Sequence, residues 1–427
     1  MELKILLVSD HYPPFIGGAH RQTYLLGQEM HKRGHEVAVA TVWHPGLPEV
    51  EDEGGVTVYR MKQVRTLLPF LHRAGKQQHQ PPYPDPVTIV KLRWVINNFR
   101  PNMIHAYGWI TYSCAVALAG KDIPMLISAR DYAYGCATRT LVYKGREVCS
   151  GPEFFKCMQC AGQYYGVPKG WIAVLGVRMG RRLLKRKVSG VHSISSYVHD
   201  VIARDLFDSQ MAAMRAGEDS LPDVIIPSFM EDENNEQPYH DIDLQVFINQ
   251  LPKEPFILFV GALRLVKGLQ QLLDAYKRLE SAPPLVLIGT IEHDTPKEFP
   301  KGVVVLQDFP HQAVMKAWSQ ALFGVIPSLW PEPLGSVVYE GMSQAKAVIG
   351  TTPGGHTDMI MDHETGLLVP IGDVEALTKA IQELLDDPEL RERLGRAARE
   401  RSYMFTAHVA IPHFEQAYMK LANHENR

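Results

Sequence analysis

At 427 residues, with 45% apolar and 21% charged residues, the chain lies in the globular range and is long enough for two domains of ordinary size. A formal charge of −3 makes no case for nucleic-acid binding, and no apolar run approaches the ~20 residues that cross a bilayer. The N-terminal apolar run is only strand-length and lacks both a basic start and a small-residue cleavage site, so a cytoplasmic enzyme is expected.

Short β-branched runs alternate with helix-length segments, the pattern of a parallel sheet covered by helices. The first half offers strands at 4–9, 36–41, 56–60, 103–106, 125–128, 191–194 and 224–226. Between the first two, residues 20–33 carry Tyr24, Leu25 and Met30 at helical spacing, and Gly34 stops the run. Segment 67–86, with its prolines and glutamines, reads as a long loop. From 228 to 255 the composition turns acidic and amide-rich, as in an interdomain connection. The alternation then restarts, with strands at 256–260, 285–288, 303–306, 324–326, 347–350 and 366–369. Helices near 268–280, 312–320 and 336–343 separate them, and helical segments run from 374 onward. Two successive doubly wound α/β domains follow, 1–228 and 229–404, with ligands expected at the C-terminal strand ends and in a cleft between the halves.

The most informative segment is PSLWPEPLGSVVYEG at 327–341. A strand ends at Pro327, a loop carries Glu332, and a helix begins near Gly335–Ser336. Free N–H groups at a helix start suit a diphosphate, and Gly335 allows close backbone approach. Glu340, about one turn into the helix, is placed to accept hydrogen bonds from vicinal hydroxyls such as those of ribose. On spacing alone, two acids eight residues apart read more readily as surface glutamates beside an ordinary turn.

The surrounding words resemble glycosyltransferase family 4, with Glu332 and Glu340 as its E-x7-E acids. The resemblance continues through Ala347–Gly350, Gly354–Asp358 (GGHTD), Gly366–Pro370 (GLLVP) and the 373–385 helix. It reaches back to Phe259–Leu263, to Lys267-Gly268, and to Pro13-Pro14 and Gly17-Gly18. It implies the GT-B fold, two Rossmann-like domains facing across a cleft, and a retaining transfer from a nucleotide diphosphate-sugar to an acceptor hydroxyl. By the same resemblance Glu332 would bind donor-sugar hydroxyls and Glu340 the ribose. Lys267 would neutralise the leaving diphosphate, with Leu334, Gly335 and Ser336 around it. Gly17 and Gly18 would bring backbone amides to the same phosphates. The N-terminal domain would carry the acceptor surface, the C-terminal domain the donor, and a helix at about 405–427 would return to the first domain. No catalytic metal is implied, and glycan, polysaccharide or glycolipid synthesis is the implied setting.

Two positions depart from the family. Where many members have Arg directly after the glycine matching Gly261, this chain has Ala262, with Arg264 two residues on as a substitute or a plain surface residue. Where many members have a His-Asp pair after the strand ending near Ser128, this chain has Arg130-Asp131. Arg130 would then stabilise diphosphate charge or bind an anionic acceptor. His105, at a strand end, would line the acceptor side or serve as a hydrogen-bonded structural residue.

Cys136, Cys149, Cys157 and Cys160 are spaced C-x12-C-x7-C-x2-C, a set compatible with structural zinc or an iron–sulfur cluster, with one or two disulfides, which a cytosolic location disfavours, and with unrelated buried thiols. Residues 174–188 combine Leu175, Met179, Leu183 and Val188 at helical spacing with six cations. That helix reads as an amphipathic cover with a solvated basic face, or as a peripheral contact with anionic lipid. Two other classes compatible with these residues are a nucleotide-sugar epimerase and a non-catalytic nucleotide-sugar-binding protein.

Overall fold

The computed structural model describes residues 2–10, 12–14, 18–67, 80–206, 223–230 and 243–424. The chain forms two compact units, Met1–Phe229 with Ala407–Arg427, and Met230–Thr406.

In the first unit the strands are β1 Lys4–Ser9, β2 Glu36–Val42, β3 Val50–Glu53, β4 Val56–Met61, β5 Met103–Tyr107, β6 Met125–Ala129, the short pair β7 Val142–Tyr143 and β8 Glu147–Val148, β9 Gly190–Ser193 and β10 Asp223–Ile225. The main sheet runs β10-β9-β6-β5-β1-β2-β4-β3. Every pairing in it is parallel except the β3 edge, which is antiparallel to β4. Ile5, Leu6, Leu7 and Val8 are all buried, because helices cover both faces and the strand needs no polar side. The acidic edge strand VEDE gave no periodic signal; Arg60, itself buried, holds it through Glu51 at 2.5 Å and Glu53 at 2.7 Å.

The C-terminal helix Ala407–His424 completes this unit's core. Its Ala410, Ile411, Phe414, Tyr418 and Leu421 pack with Leu3, Ile5, Leu26 and Met103. Glu415 pairs with Arg33 at 2.9 Å and lies 3.2 Å from the His35 ring, so charge also fastens the helix.

The second unit is one parallel sheet of β11 Ile257–Val260, β12 Leu285–Ile288, β13 Val303–Leu306, β14 Phe323–Val325, β15 Val348–Thr352 and β16 Leu367–Pro370. The order is β13-β12-β11-β14-β15-β16, so the winding reverses between β11 and β14. In doubly wound sheets ligands bind at such a reversal, beyond the C-terminal ends of the strands.

The expected 67–86 loop lies partly at 68–79, outside the described residues; at its end Asp85 caps the helix Pro86–Phe99 by accepting from Thr88 N at 2.9 Å. The basic helix is longer than expected, Val167–Lys187, and its buried face differs. Leu175 and Met179 are exposed, whereas Gly170, Ala173, Val174, Gly176, Val177, Gly180 and Leu184 are buried. The glycines explain the reversal. A Cβ on Gly170 would strike the Ala161 backbone, and one on Gly180 would strike the Tyr112 ring. Small residues bring this helix against its neighbours, so the large apolar ones point outward.

Candidate active site

In the second unit the candidate site is built by the loops that follow β11 and β14. After β11 the chain passes Gly261, at φ 145°, and makes a 3-10 turn, Leu265–Lys267, closed by Gly268 at φ 75°. A Cβ on Gly268 would collide with the carbonyl of Pro327, so glycine lets this turn sit directly on the loop after β14. Lys267 Nζ thereby reaches both carboxylate oxygens of Glu332, at 2.9 and 3.1 Å, and lies 5.0 Å from the Trp330 ring centre.

Glu332 is buried and also accepts from Ser328 Oγ at 2.8 Å and Trp330 Nε1 at 2.6 Å. Burial pushes its pKa up, but the Lys267 ammonium and the hydrogen bonds from Lys267 and Ser328 outweigh that and hold it below the usual carboxylate range. A fixed, ionised carboxylate beside a cation results.

His356 lies against the same group. Its Nδ1 accepts from Thr351 N at 3.0 Å, which assigns the ring proton to Nε2. Burial lowers its pKa to about 4, leaving a neutral ring at neutral pH. Nε2 is buried without a hydrogen-bond partner among the described residues. Gly335 has φ 87°, and a Cβ there would stand 2.9 Å from that Nε2 and 3.3 Å from Glu332 Cγ. Gly335 is the residue before the helix Ser336–Ser343, so ring, carboxylate and helix start meet around one glycine.

Of the residues named from sequence, the fold brings Lys267, Glu332 and Gly335 together. Leu334 is buried and Ser336 opens the helix. Glu340 follows within the helix, nearly buried, with His311 Nε2 at 3.4 Å. Arg264 Nε pairs with Asp294 at 3.2 Å. His356, Ser328 and Trp330 were not singled out by sequence; GGHTD and PSLWPE contained them, but nothing in the spacing marked which side chains turn inward.

In the first unit Gly17 lies outside the described residues, and Gly18 begins the helix Gly18–Lys32. Arg130 follows β6 and packs its guanidinium 4.8 Å from the Tyr107 ring centre. His105 does not line an acceptor surface. It is fully buried, with Nδ1 2.6 Å from the Tyr418 hydroxyl and 2.9 Å from that of Tyr107, so it ties β5 to the C-terminal helix. Asp10, at the end of β1, was not anticipated. It accepts from the amides of Trp109 at 2.8 Å and Ile110 at 2.9 Å, and burial raises its pKa to about 6.

Cys136 and Cys149 lie near enough to Cys157 and Cys160 to act on them electrostatically. Among the described residues no group of three or more His, Cys, Asp or Glu is arranged to hold an ion. The thiols have local partners: Cys136 lies 3.2 Å from Thr138 Oγ1, Cys149 donates to the Gly151 carbonyl at 3.5 Å, and Cys160 to the Val142 carbonyl at 3.7 Å. Burial raises the Cys157 and Cys160 pKa values, favouring neutral thiols.

Among solved structures, sucrose-phosphate synthase from Thermosynechococcus elongatus aligns with a TM-score of 0.70 at 20% identity, covering 98% of this chain and 99% of that one. HepE of Anabaena, in complex with UDP-glucose, aligns with a TM-score of 0.63 at 14% identity, covering 98% and 100%. The fold is GT-B, and the chain is a glycosyltransferase. Residues 17–214 match the family described as Glycosyl transferase 4-like domain, and residues 241–401 the family described as Glycosyl transferases group 1. The glycogen synthase of Mycobacterium tuberculosis is 23% identical over 93% of this chain and 90% of its own. The protein belongs to the family 4 type of GT-B glycosyltransferases.

Proposed function

We propose that the enzyme moves a sugar, with retention of configuration, from a nucleotide diphosphate-sugar to an acceptor hydroxyl in glycan, polysaccharide or glycolipid synthesis. The observation that carries this reading is the Lys267–Glu332 pair at the β11/β14 reversal, beside a helix start reached through Gly335. The helix N–H groups and Lys267 are suited to the diphosphate, Glu332 to sugar hydroxyls and Glu340 to the ribose. A structural neighbour of the same fold carries UDP-glucose, which supports a nucleotide-sugar as donor.

In the reaction the bond between the anomeric carbon and the diphosphate oxygen breaks, and its electron pair leaves with the diphosphate. The acceptor oxygen bonds to the same face, and its proton passes to the departing phosphate. Positive charge fixed beside the diphosphate stabilises this state more than the ground state. The Met230–Thr406 unit then carries the donor, and the other unit the acceptor surface, with Arg130 supplying a cation on that side.

The test is a panel of nucleotide sugars screened for thermal stabilisation, followed by magnetic resonance of the product anomer. One nucleotide diphosphate-sugar should stabilise the enzyme, and the product should keep the donor's anomeric configuration. Glu340→Gln should weaken that donor by about 1–3 kcal/mol. An inverted product, or stabilisation by none of the panel, would overturn the proposal.

A further inference from the structure

The first unit contains a helical hairpin, Phe154–Tyr165 and Val167–Lys187, joined at Gly166. Its packing is complete without several of its largest apolar side chains. Phe155 is 78% exposed, Met179 62%, Ile172 53% and Trp171 48%. At about 3.6 residues per turn, Trp171, Leu175, Arg178, Met179, Arg182 and Arg186 fall on one side of the second helix. The first helix extends that side: Phe154 packs on Phe155 at 5.2 Å between ring centres and lies 5.4 Å from the Arg178 guanidinium. Phe154, Leu175, Arg178, Met179 and Arg182 line a shallow cavity of about 370 Å³.

The second helix contains no acidic residue, so the cations on this side have no counter-charge within it. Arg181 is a separate case, half-buried near Tyr112 and Asp205. The exposed side is thus graded along the helix, with Trp171, Ile172 and Leu175 toward one end and Arg182 and Arg186 toward the other.

We propose that this hairpin face docks on an anionic lipid surface, seating Phe155, Trp171, Ile172 and Met179 at the acyl boundary and Arg178, Arg182 and Arg186 among the headgroups. Aromatic side chains with an apolar body and polar edge suit that boundary, and arginine stems extend along it while keeping their charge at the phosphates. A second copy of the chain is a poor occupant. An antiparallel two-fold contact through this face would bury the Arg182–Arg186 end against the Trp171–Leu175 end of its equivalent, leaving those guanidiniums without a carboxylate partner. A nucleic-acid backbone would leave Ile172, Leu175 and Met179 without an apolar partner.

The experiment is flotation of the full-length protein with phosphatidylcholine vesicles, and with vesicles in which about a third of that lipid is replaced by phosphatidylglycerol. Partition should be at least about tenfold stronger to the anionic vesicles and should weaken as salt is raised. The combined Phe155→Ser, Trp171→Ser and Met179→Ser variant should lose about tenfold or more of that partition. The combined Arg178→Gln, Arg182→Gln and Arg186→Gln variant should lose the preference for anionic lipid. These side chains are exposed, so both variants should keep the wild-type melting temperature, and only such variants are compared. Absence of binding to either vesicle, or equal binding to both, would overturn the proposal. So would a dimer by light scattering that Trp171→Ser dissolves. Flotation requires neither donor nor turnover, so its outcome is independent of the assigned reaction.

Discussion

Glu332 and Lys267 depend on each other in two separable ways. Lys267 offsets the charge of a buried carboxylate, and in the proposed reaction it also faces the leaving diphosphate. Removing the cation leaves a buried, unpaired carboxylate, which is destabilising by about 3–5 kcal/mol where burial is complete and less here, since Lys267 is partly exposed. Lys267→Ala should therefore lower both stability and kcat, the latter by roughly a hundredfold, or about 2.7 kcal/mol. Adding Glu332→Gln removes the stranded charge, so the double variant should regain stability without regaining turnover. Urea denaturation and steady-state kinetics on both variants check this. Recovery of turnover in the double variant would mean that the lysine serves only to neutralise Glu332. Any compensation should come from Arg264, which pairs with Asp294, so adding Arg264→Ala to Lys267→Ala should lower turnover further.

At the level of elements, most strands were legible because both faces of a parallel sheet are buried and its strands become continuous apolar runs. Predicted 4–9, 285–288 and 303–306 coincide with β1, β12 and β13, and helix 336–343 with Ser336–Ser343. The GT-B fold followed from that alternation together with the family words. What failed was whatever depends on partners distant in sequence. The VEDE edge is a strand because Arg60 and β4 hold it, and neither appears in its own residues. The site shows the same limit. Lys267, Glu332 and Gly335 were readable as motif letters, but the contact of His356 with them requires the fold of 351–356. The basic helix misled because apolar size was taken to mark the buried side, whereas glycine does so here. This gives an asymmetric expectation: Gly180→Ala should destabilise the protein by about 1–3 kcal/mol, since its methyl must displace the Tyr112 ring, while Met179→Ala should change stability by less than about 0.5 kcal/mol. Thermal or urea unfolding distinguishes these, and equal effects would contradict the packing described.

For the whole molecule, buried titrating groups set the response to acid. Burial lowers the pKa of His192 to about 3 and of His356 to about 4, and holds that of His105 well below its ordinary value. Each contributes stability that is present above about pH 6.5 and is lost as the pH falls toward its folded value, at about 1.4 kcal/mol per pH unit. Asp10 has the opposite sign. Its folded pKa of about 6 lies above its unfolded 3.8, so stability is recovered as pH falls through that window. Wild-type protein should lose stability between pH 6 and pH 4, and Asp10→Asn should lose it more steeply, by about 1 kcal/mol per pH unit. Urea midpoints measured across that range test the sign, and parallel profiles would show that Asp10 does not titrate as described.

The second unit is a single stretch of chain, whereas the first is assembled from Met1–Phe229 and a helix that begins at Ala407. Order of synthesis therefore becomes a constraint. The Met230–Thr406 stretch can close its own core as soon as it clears the ribosome, but the first unit must wait for Ile411, Phe414, Tyr418 and Leu421. At typical elongation rates that wait is on the order of ten seconds or more. Throughout it, Leu3, Ile5 and Leu26 lack the helix that covers them, so a strand made long before that helix is among the last parts of the core to be finished.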